Sequence, residues 1–142
     1  MNIYLAASLS HDRRQSMYDA LRILRNKGFK VYAPVEHFVE NAWDLPNDKW
    51  GLQVFHGDIE AIKHCDLVVS LSWGRLQTSA GTTWEQGFAF GIGKKIILVE
   101  MTNHIQSVMV ANGRYATVKG LEGLEKYNFN ELPETRTNTE QK

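Results

Sequence analysis

The segment from Ser79 to Glu85 contains residue types that suit ligand binding. It follows a predicted strand and opens a predicted helix. Gly81 allows a tight backbone turn there, and the start of a helix offers free N–H groups to an anion or a hydroxyl. The same spacing also fits a capping box, in which Thr82 caps the helix and Glu85 closes the box. On spacing alone this structural role is the commoner one.

Two further candidates lie on other predicted elements. Tyr4 is in a buried strand, so its hydroxyl needs a polar partner. The small residues Ala7 and Ser8 end that strand and would let a ligand approach the backbone. Asp58 lies one helical step off an apolar stripe, so it could point along the edge of the sheet. The alternatives are a core tyrosine with a satisfied hydroxyl and a solvated surface aspartate.

Other kinds of site are disfavoured. The five histidines show no metal-ligand spacing, and the single cysteine, Cys65, excludes a disulfide framework and a cysteine-based zinc site. The sequence has neither a Gly-x-Ser-x-Gly elbow nor a phosphate-loop pattern, so a serine hydrolase and a nucleoside triphosphatase are disfavoured. We expect no bound metal.

Composition narrows the class of partner. The 142 residues carry 16 Lys+Arg and 16 Asp+Glu, so the formal charge is zero. A nucleic-acid binder usually needs a basic face, and no block of Lys and Arg stands out. No apolar run reaches the ~20 residues that a membrane helix needs. The sequence therefore predicts a protein that binds neither nucleic acid nor membrane, and the single cysteine fits a reducing, cytoplasmic setting best.

The elements that must position these residues alternate between short apolar runs and amphipathic stretches, as βαβ units do. Strands are predicted at residues 3–7, 29–33, 67–71, 95–100 and 115–119, and helices at residues 11–27, 82–91 and 105–112. A further helical face is marked by Leu52, Phe55, Ile59 and Ile62. Residues 34–50 are predicted to form a long loop, and residues 73–81 a second one.

This alternation predicts an α/β fold. We expect a flavodoxin-like, doubly wound, five-stranded parallel sheet in a three-layer α/β/α arrangement, with the ligand outside the carboxyl ends of the strands. Residues 1–133 are expected to form one domain, and residues 134–142 a polar, frayed tail.

Taken together, these segments resemble the nucleoside 2-deoxyribosyltransferase family over residues 1–133. The matching pieces are Ile3-Tyr-Leu-Ala-Ala7, the block from Asp58 to Asp66-Leu-Val-Val69, Gly81-Thr-Thr-Trp-Glu-Gln-Gly-Phe-Ala-Phe-Gly-Ile-Gly-Lys-Lys95 and Tyr127-Asn-Phe-Asn130. The third piece is the most specific, because Glu-x-Gly-x-Ala between a glycine turn and a Gly-Lys strand entry is hard to reach by chance.

The resemblance implies an enzyme that exchanges the base of 2′-deoxyribonucleosides, purine or pyrimidine. In that family a glutamate attacks C1′ and carries the sugar as a covalent intermediate, with net retention. Glu85 occupies the place of this nucleophile. Asp58 matches an aspartate to which we assign proton transfer to and from the base, and Tyr4 matches a tyrosine that orients the nucleophile. The substrates would be deoxynucleosides and free nucleobases, and the reaction needs no cofactor.

The resemblance also implies positions that bind substrate. The stretch that contains Pro34, His37 and Phe38 matches the one that contacts the base. Family members are homo-oligomers whose active sites are completed across an interface. This implies a dimer-based assembly, up to a hexamer, in which a neighbouring subunit contributes the segment of Ser107 and Met109. The candidate interface segments are residues 107–114 and 127–132.

Two departures keep a second function open. Ser79 stands where many family transferases carry an aspartate that holds the 5′ end of the sugar, and Ser107 stands where they carry an asparagine. Both serines resemble the related deoxyribonucleoside 5′-monophosphate N-glycosidases, and a serine hydroxyl donates to phosphate without adding charge. The cationic residue that these hydrolases carry after the first strand has no clear match. Ser10 sits there, with Arg13 and Arg14 farther along. We therefore rank the transferase first.

A third hypothesis is a nucleotide-binding module without turnover, since a fold alone does not determine function. The presence of Tyr4, Asp58 and Glu85 together speaks against it. A buried, ionised glutamate is costly, and a binding module would not need one.

Overall fold

A five-stranded, all-parallel sheet forms the centre of the computed structural model, which describes residues 1–37 and 47–136. Its strands are β1 (Asn2–Ala6), β2 (Lys30–Tyr32), β3 (Leu67–Ser72), β4 (Lys95–Glu100) and β5 (Ala116–Lys119). Their order is β2-β1-β3-β4-β5. This order is that of doubly wound, flavodoxin-like sheets, so the predicted fold class is confirmed.

Helices cover both faces of the sheet. They are α1 (Arg14–Asn26), α2 (Asn47–His64), α3 (Ala80–Gly91), α4 (Val108–Gly113) and α5 (Gly120–Lys126). Helix α1 and helix α5 bury Leu24 and Leu124 against one face. Helices α2 and α3 bury Ile62 and Ala89 against the other. The three-layer α/β/α arrangement is therefore also confirmed.

Alternation along β1 decides which side chains reach the layer of α2 and α3. Ile3 and Leu5 pack in the core beneath α1 and α5. Tyr4 and Ala6 point to the opposite face, as the two-residue period of a strand requires. The connections that leave β1 and β3 lie on opposite faces, so their carboxyl ends flank the crevice in which this fold class binds ligands.

The predicted loops and helix bounds need correction. Within residues 34–50, Pro34–Glu36 forms a 3₁₀ turn and α2 begins at Asn47, while residues 38–46 lie outside the described part of the chain. Trp50 and Leu52 are exposed, so no buried stripe marks the first turns of α2. Helix α5 was not predicted, because its seven residues include Gly120 and Gly123, and glycine has a low helix propensity.

The ends of the other elements differ from prediction by a few residues, as is usual. Residues 137–142 of the predicted tail lie outside the described residues. Within residues 1–37 and 47–136, no helix combines the length and the apolar character needed to cross a membrane.

Candidate active site

Strand β1 and helix α3 bring Tyr4 and Glu85 together. Tyr4 is fully buried, and its hydroxyl donates a hydrogen bond to Glu85 Oε2, although 81 residues separate the two in sequence. The polar partner that the buried Tyr4 hydroxyl requires is therefore the Glu85 carboxylate. This contact anchors one carboxylate over strand β1.

The start of α3 shows why Glu85 is available for this contact. The N-cap is Ser79, whose Oγ accepts from the Thr82 N–H at 3.2 Å. Thr82 itself lies inside the helix and is buried. The alternative of a capping box between Thr82 and Glu85 is therefore wrong. Because Ser79 satisfies the first turn, Glu85 in the second turn is left to face the sheet.

A second carboxylate comes from α2. Asp58 is half-buried, and its Oδ1 accepts a hydrogen bond from the Tyr32 hydroxyl at 3.3 Å. Asp58 therefore points inward rather than into solvent. Sequence reasoning missed Tyr32, although the argument applied to Tyr4, a tyrosine in a strand that needs a polar partner, applies equally to it.

The two carboxyl groups resist ionisation. Burial raises the pKa of Glu85 to about 7; the nearby Asp58 adds to this, and the hydrogen bond from Tyr4 opposes it. Burial also raises the pKa of Asp58, against the hydrogen bond from Tyr32 and the charge of His37. The pair therefore retains a proton at pH values at which two separate carboxyl groups would both be ionised.

The tyrosines stay protonated as hydrogen-bond donors. Burial and the Glu85 carboxylate raise the pKa of Tyr4 far above its ordinary value. Burial and Asp58 raise the pKa of Tyr32 to about 12. Each carboxylate thus has a neutral phenol that donates to it throughout the physiological range.

A cleft of about 370 Å³ opens over these carboxylates. It is lined by Gly51, Val54, Phe55, Asp58, Ile59, Ile62, Gly81, Trp84 and Glu85. The rings of Phe55 and Trp84 meet edge to face at 5.5 Å, and both are about half exposed. The cleft therefore offers aromatic surface for a flat group beside two carboxyl groups that can attack, donate or accept a proton.

Helical spacing predicts that Leu52 and Phe55 lie on the same face of α2 as Ile62. Ile62 is fully buried, whereas Leu52 and Phe55 are 55% and 46% exposed. Helical spacing alone does not say whether an apolar face meets the core or a ligand cleft. Here the apolar face of α2 is buried in the core at Ile62 and lines the cleft at Phe55.

The predicted residues at the end of β1 lie beside the switch point. Ser8 is buried, and its Oγ donates to Ser10 Oγ at 3.0 Å and accepts from the Ser10 N–H at 3.2 Å. Ala7 is partly buried against the core. Arg13 donates to the Gln77 carbonyl, and its guanidinium lies 4.4 Å from the ring centroid of Trp73.

The predicted base-contacting stretch begins beside the carboxylates. Pro34 opens the 3₁₀ turn that ends at Glu36, and His37 stacks on the Tyr32 ring at 4.0 Å. Phe38 lies outside the described residues. This stretch therefore contacts the site through Tyr32, whose hydroxyl donates to Asp58.

Ser107 and Met109 lie elsewhere. Ser107 is the N-cap of α4, with its Oγ accepting from the Val110 N–H at 3.2 Å. Met109 is 82% exposed and lines a separate groove of about 410 Å³ between α3 and α4. Neither residue lines the cleft of Glu85 within its own chain.

Among residues 1–37 and 47–136, no three His, Cys, Asp or Glu side chains come together as a metal site requires.

The raised pKa of Glu85 predicts that this residue destabilises the fold at neutral pH. Its pKa is about 7 in the folded state and 4.5 in a model peptide, so the folded chain holds the proton more tightly. The penalty is absent below about pH 4.5, grows as the pH rises and is complete above about 7. Between pH 5 and 8, the free energy of unfolding of Glu85→Gln should rise by ~1–3 kcal/mol relative to that of the wild type.

Chemical denaturation at several pH values measures this difference. Glu60→Gln is a matched control, because Glu60 is an exposed carboxylate on α2. It should stay within ~0.5 kcal/mol of the wild type at every pH. A Glu85→Gln curve parallel to the wild-type curve would contradict the raised pKa.

The fold and the paired carboxylates define a flavodoxin-like α/β protein in which a cleft between α2 and α3 contains both carboxyl groups. The model of one family in this class, nucleoside 2-deoxyribosyltransferase, matches residues 3–129. The chain belongs to this family. A comparison with curated protein sequences gave no match.

Solved structures agree with this assignment. A 2-deoxyribosyltransferase from Bacillus psychrosaccharolyticus aligns with a TM-score of 0.85 and 27% identity, over 94% of this chain and 96% of its own. A CMP N-glycosidase from Clostridium botulinum aligns at 0.63 and 23%, over 89% and 100%. A 2-desoxiribosyltransferase from Leishmania mexicana aligns at 0.54 and 19%, over 90% and 79%. The last two likenesses concern the fold alone.

Proposed function

We propose that the protein is a nucleoside 2-deoxyribosyltransferase that exchanges the base of 2′-deoxyribonucleosides. The observation that carries this proposal is the hydrogen bond from the buried Tyr4 to Glu85, beside Asp58 in one cleft. A carboxylate held in this way is aimed by a neutral donor and is next to a second carboxyl group that can carry a proton. Family membership supports the same reaction class.

In the first half-reaction, a Glu85 carboxylate oxygen bonds to C1′ of the nucleoside. The bond from C1′ to the base nitrogen breaks, and its electron pair stays on the base. Asp58 gives its proton to that base, which leaves as the neutral molecule. The products are a deoxyribosyl ester of Glu85, an ionised Asp58 and a free base.

The second half-reaction reverses these steps with another base. Asp58 removes the N–H proton of the incoming base, and the freed nitrogen bonds to C1′ as the ester bond breaks. Glu85 returns to the carboxylate form. Two inversions at one carbon give net retention, as in a retaining glycosidase. No step requires a metal or an organic cofactor, since Glu85 itself carries the sugar.

The residues around this pair suggest where the substrate lies. We place the base against the stretch of Pro34 and His37, on the side of Asp58. We place the sugar over Gly81, whose lack of a side chain leaves the approach to Glu85 open. Ala7 and Ser8 lie at the end of β1 and would line the same crevice.

We further propose that the protein is a homo-oligomer and that a second copy covers the groove between α3 and α4. Val108 and Met109 are 75% and 82% exposed there, and Phe90 is also exposed. Such apolar side chains are typical of an interface core. Sedimentation velocity of Met109→Asp should show a smaller species than the wild type; an unchanged assembly would contradict this interface.

The second candidate is a hydrolase of deoxyribonucleoside 5′-monophosphates. One observation favours it: the contacts of Arg13 with Gln77 and Trp73 bring a guanidinium against the loop that leads to Ser79. Ser79 adds no negative charge at the start of α3. A cation and a hydroxyl suit a 5′-phosphate better than a carboxylate would.

A two-substrate assay separates the candidates. Deoxyadenosine, deoxycytidine and their 5′-monophosphates are offered side by side, each with and without an acceptor base. The transferase proposal predicts new nucleoside that depends on the acceptor, with little base released in its absence. Faster base release from the monophosphates, indifferent to acceptor, would establish the hydrolase. Binding of all four compounds without base release would leave a non-catalytic nucleotide-binding module.

A further inference from the structure

Tyr32 occupies an unusual place at the carboxyl end of β2. Its ring stacks with two others, nearly parallel to the Tyr4 ring at 5.6 Å and 12° and to the His37 ring at 4.0 Å and 5°. A ring stacked with two neighbours has little freedom to change its rotamer. The direction in which the Tyr32 hydroxyl points is therefore set by its neighbours.

The sheet register pairs this ring with the tyrosine that holds Glu85. Tyr4 and Tyr32 are direct partners on the neighbouring parallel strands β1 and β2. Partners in such a register point to the same face, with strands about 4.8 Å apart. Tyr4 donates to Glu85, and Tyr32 donates to Asp58 at 3.3 Å. One cross-strand pair of phenols thus holds both carboxylates of the cleft.

The hydrogen bond between Tyr32 and Asp58 has a larger effect on the orientation of Asp58 than on the packing of Tyr32, which its stacked neighbours already hold. Asp58 comes from α2, where the adjacent Gly57 and the nearby Glu60 are exposed. An aspartate in such a position ordinarily turns to water. The hydrogen bond from the Tyr32 hydroxyl stabilises the inward orientation of Asp58, on the side of the cleft where Glu85 lies.

On the basis of the proposed function, we propose that Tyr32 is a positioning residue. It holds the proton-carrying Asp58 at a fixed place relative to the nucleophile, which Tyr4 holds in register beside it. Tyr32 does not touch the reacting atoms. It acts by keeping the Asp58 carboxyl group aimed at the leaving base during both half-reactions.

The hydroxyl also affects when Asp58 ionises. The groups that face Asp58 are Tyr32 and His37 from the side of β2, Glu85 from α3 and Tyr4 from β1. A donated hydrogen bond favours the ionised carboxylate, so its removal raises the pKa of Asp58. Without the Tyr32 hydroxyl, Asp58 therefore keeps the proton that the reaction requires up to a higher pH.

The test is Tyr32→Phe, which keeps the stacked ring and removes the hydroxyl. We expect kcat for base exchange to fall about tenfold, the effect of one hydrogen bond to a charged group, with KM within about twofold. The alkaline side of the pH–activity curve should move to higher pH. Tyr18→Phe is the matched control, because Tyr18 is exposed on α1, and it should leave both readouts unchanged.

A double-mutant cycle separates positioning from general packing. In an Asp58→Ala background, Tyr32→Phe should cost less than about twofold, because the hydroxyl has lost its partner. A further tenfold loss in that background would overturn the proposal. So would an unchanged kcat and pH profile in the single variant.

The outcome for Tyr32 can also be read without turnover. Carboxyl-carbon NMR follows the titration of Asp58 in the wild type and in folded Tyr32→Phe, and we expect the pKa to move upward. An unchanged Asp58 titration would overturn the positioning role even in an active enzyme. If wild-type protein releases no base from any nucleoside, the proposed function fails, while this titration still decides the role of Tyr32.

Discussion

Glu85→Gln is expected to abolish base exchange while leaving the fold intact. Glutamine keeps the size of the side chain and can still accept from the Tyr4 hydroxyl, but its amide cannot form the ester with C1′. We expect the rate of new nucleoside formation to fall by ~10⁴-fold or more, in the range of nucleophile removal in other covalent enzymes. Chromatography of a reaction with deoxyadenosine and a second base measures this rate.

The control for this loss is a carboxylate outside the cleft. Glu122→Gln changes an exposed glutamate on α5 that pairs with Lys126, and its rate should match that of the wild type. Because Glu85→Gln is predicted to be more stable than the wild type at neutral pH, unfolding cannot explain its inactivity. Full exchange activity in folded Glu85→Gln would refute the assignment of the nucleophile.

Asp58→Asn is expected to lower kcat by ~10²–10⁴-fold, the range for loss of general acid–base catalysis. Asparagine still accepts from Tyr32 but has no proton to exchange with the base. The substitution should lower kcat far less for a nucleoside whose base leaves without protonation. Comparing it with deoxyadenosine in both proteins measures the proton-transfer contribution. An equal loss with both substrates would contradict this role.

The pH dependence gives a second test of the same residue. The reactive pair has Glu85 ionised and one proton on Asp58, so the wild type should show a bell-shaped profile. Gain of a second proton removes the nucleophile at low pH. Loss of the last proton removes the acid on the alkaline side, where burial raises the pKa of both carboxyl groups above their ordinary values. In Asp58→Asn the alkaline decline should vanish, and its persistence would assign that decline to another group.

The sheet could be predicted because its inner strands are buried on both faces. Runs such as Leu67–Ser72 and Lys95–Glu100 leave few alternatives to central parallel strands. Helices without a continuous buried stripe were harder to predict. The first turns of α2 carry exposed Trp50 and Leu52, so the apolar pattern there does not mark a core-facing side.

The nucleophile candidate could be found in the sequence, but its environment could not. A glutamate three residues after Thr82 fits a cap as well as a nucleophile. Only the tertiary contact with Tyr4 distinguishes the two roles, and it joins elements 81 residues apart. The hydrogen bond from Tyr32 to Asp58 likewise depends on the register between β1 and β2, which no local sequence pattern specifies.

A residue that acts across a subunit interface can be assigned neither from local sequence patterns nor from the fold of a single chain. Ser107 and Met109 lie on α4, away from the Glu85 cleft of their own chain. Their assignment to substrate binding came from resemblance, and it remains a prediction that depends on the proposed assembly. Phe55 shows the converse, since its helical spacing suggested a buried face but it lines the cleft.

Covalent trapping tests the central claim most directly. The wild type is mixed with a 2′-fluoro-2′-deoxynucleoside without acceptor base, because fluorine at C2′ slows attack at C1′ and breakdown of the ester. Intact-protein mass spectrometry should show the addition of one fluorodeoxyribosyl group, peptide mapping should place it on Glu85, and added adenine should discharge it. Release of the base with no adduct, or with the adduct on another residue, would contradict the account.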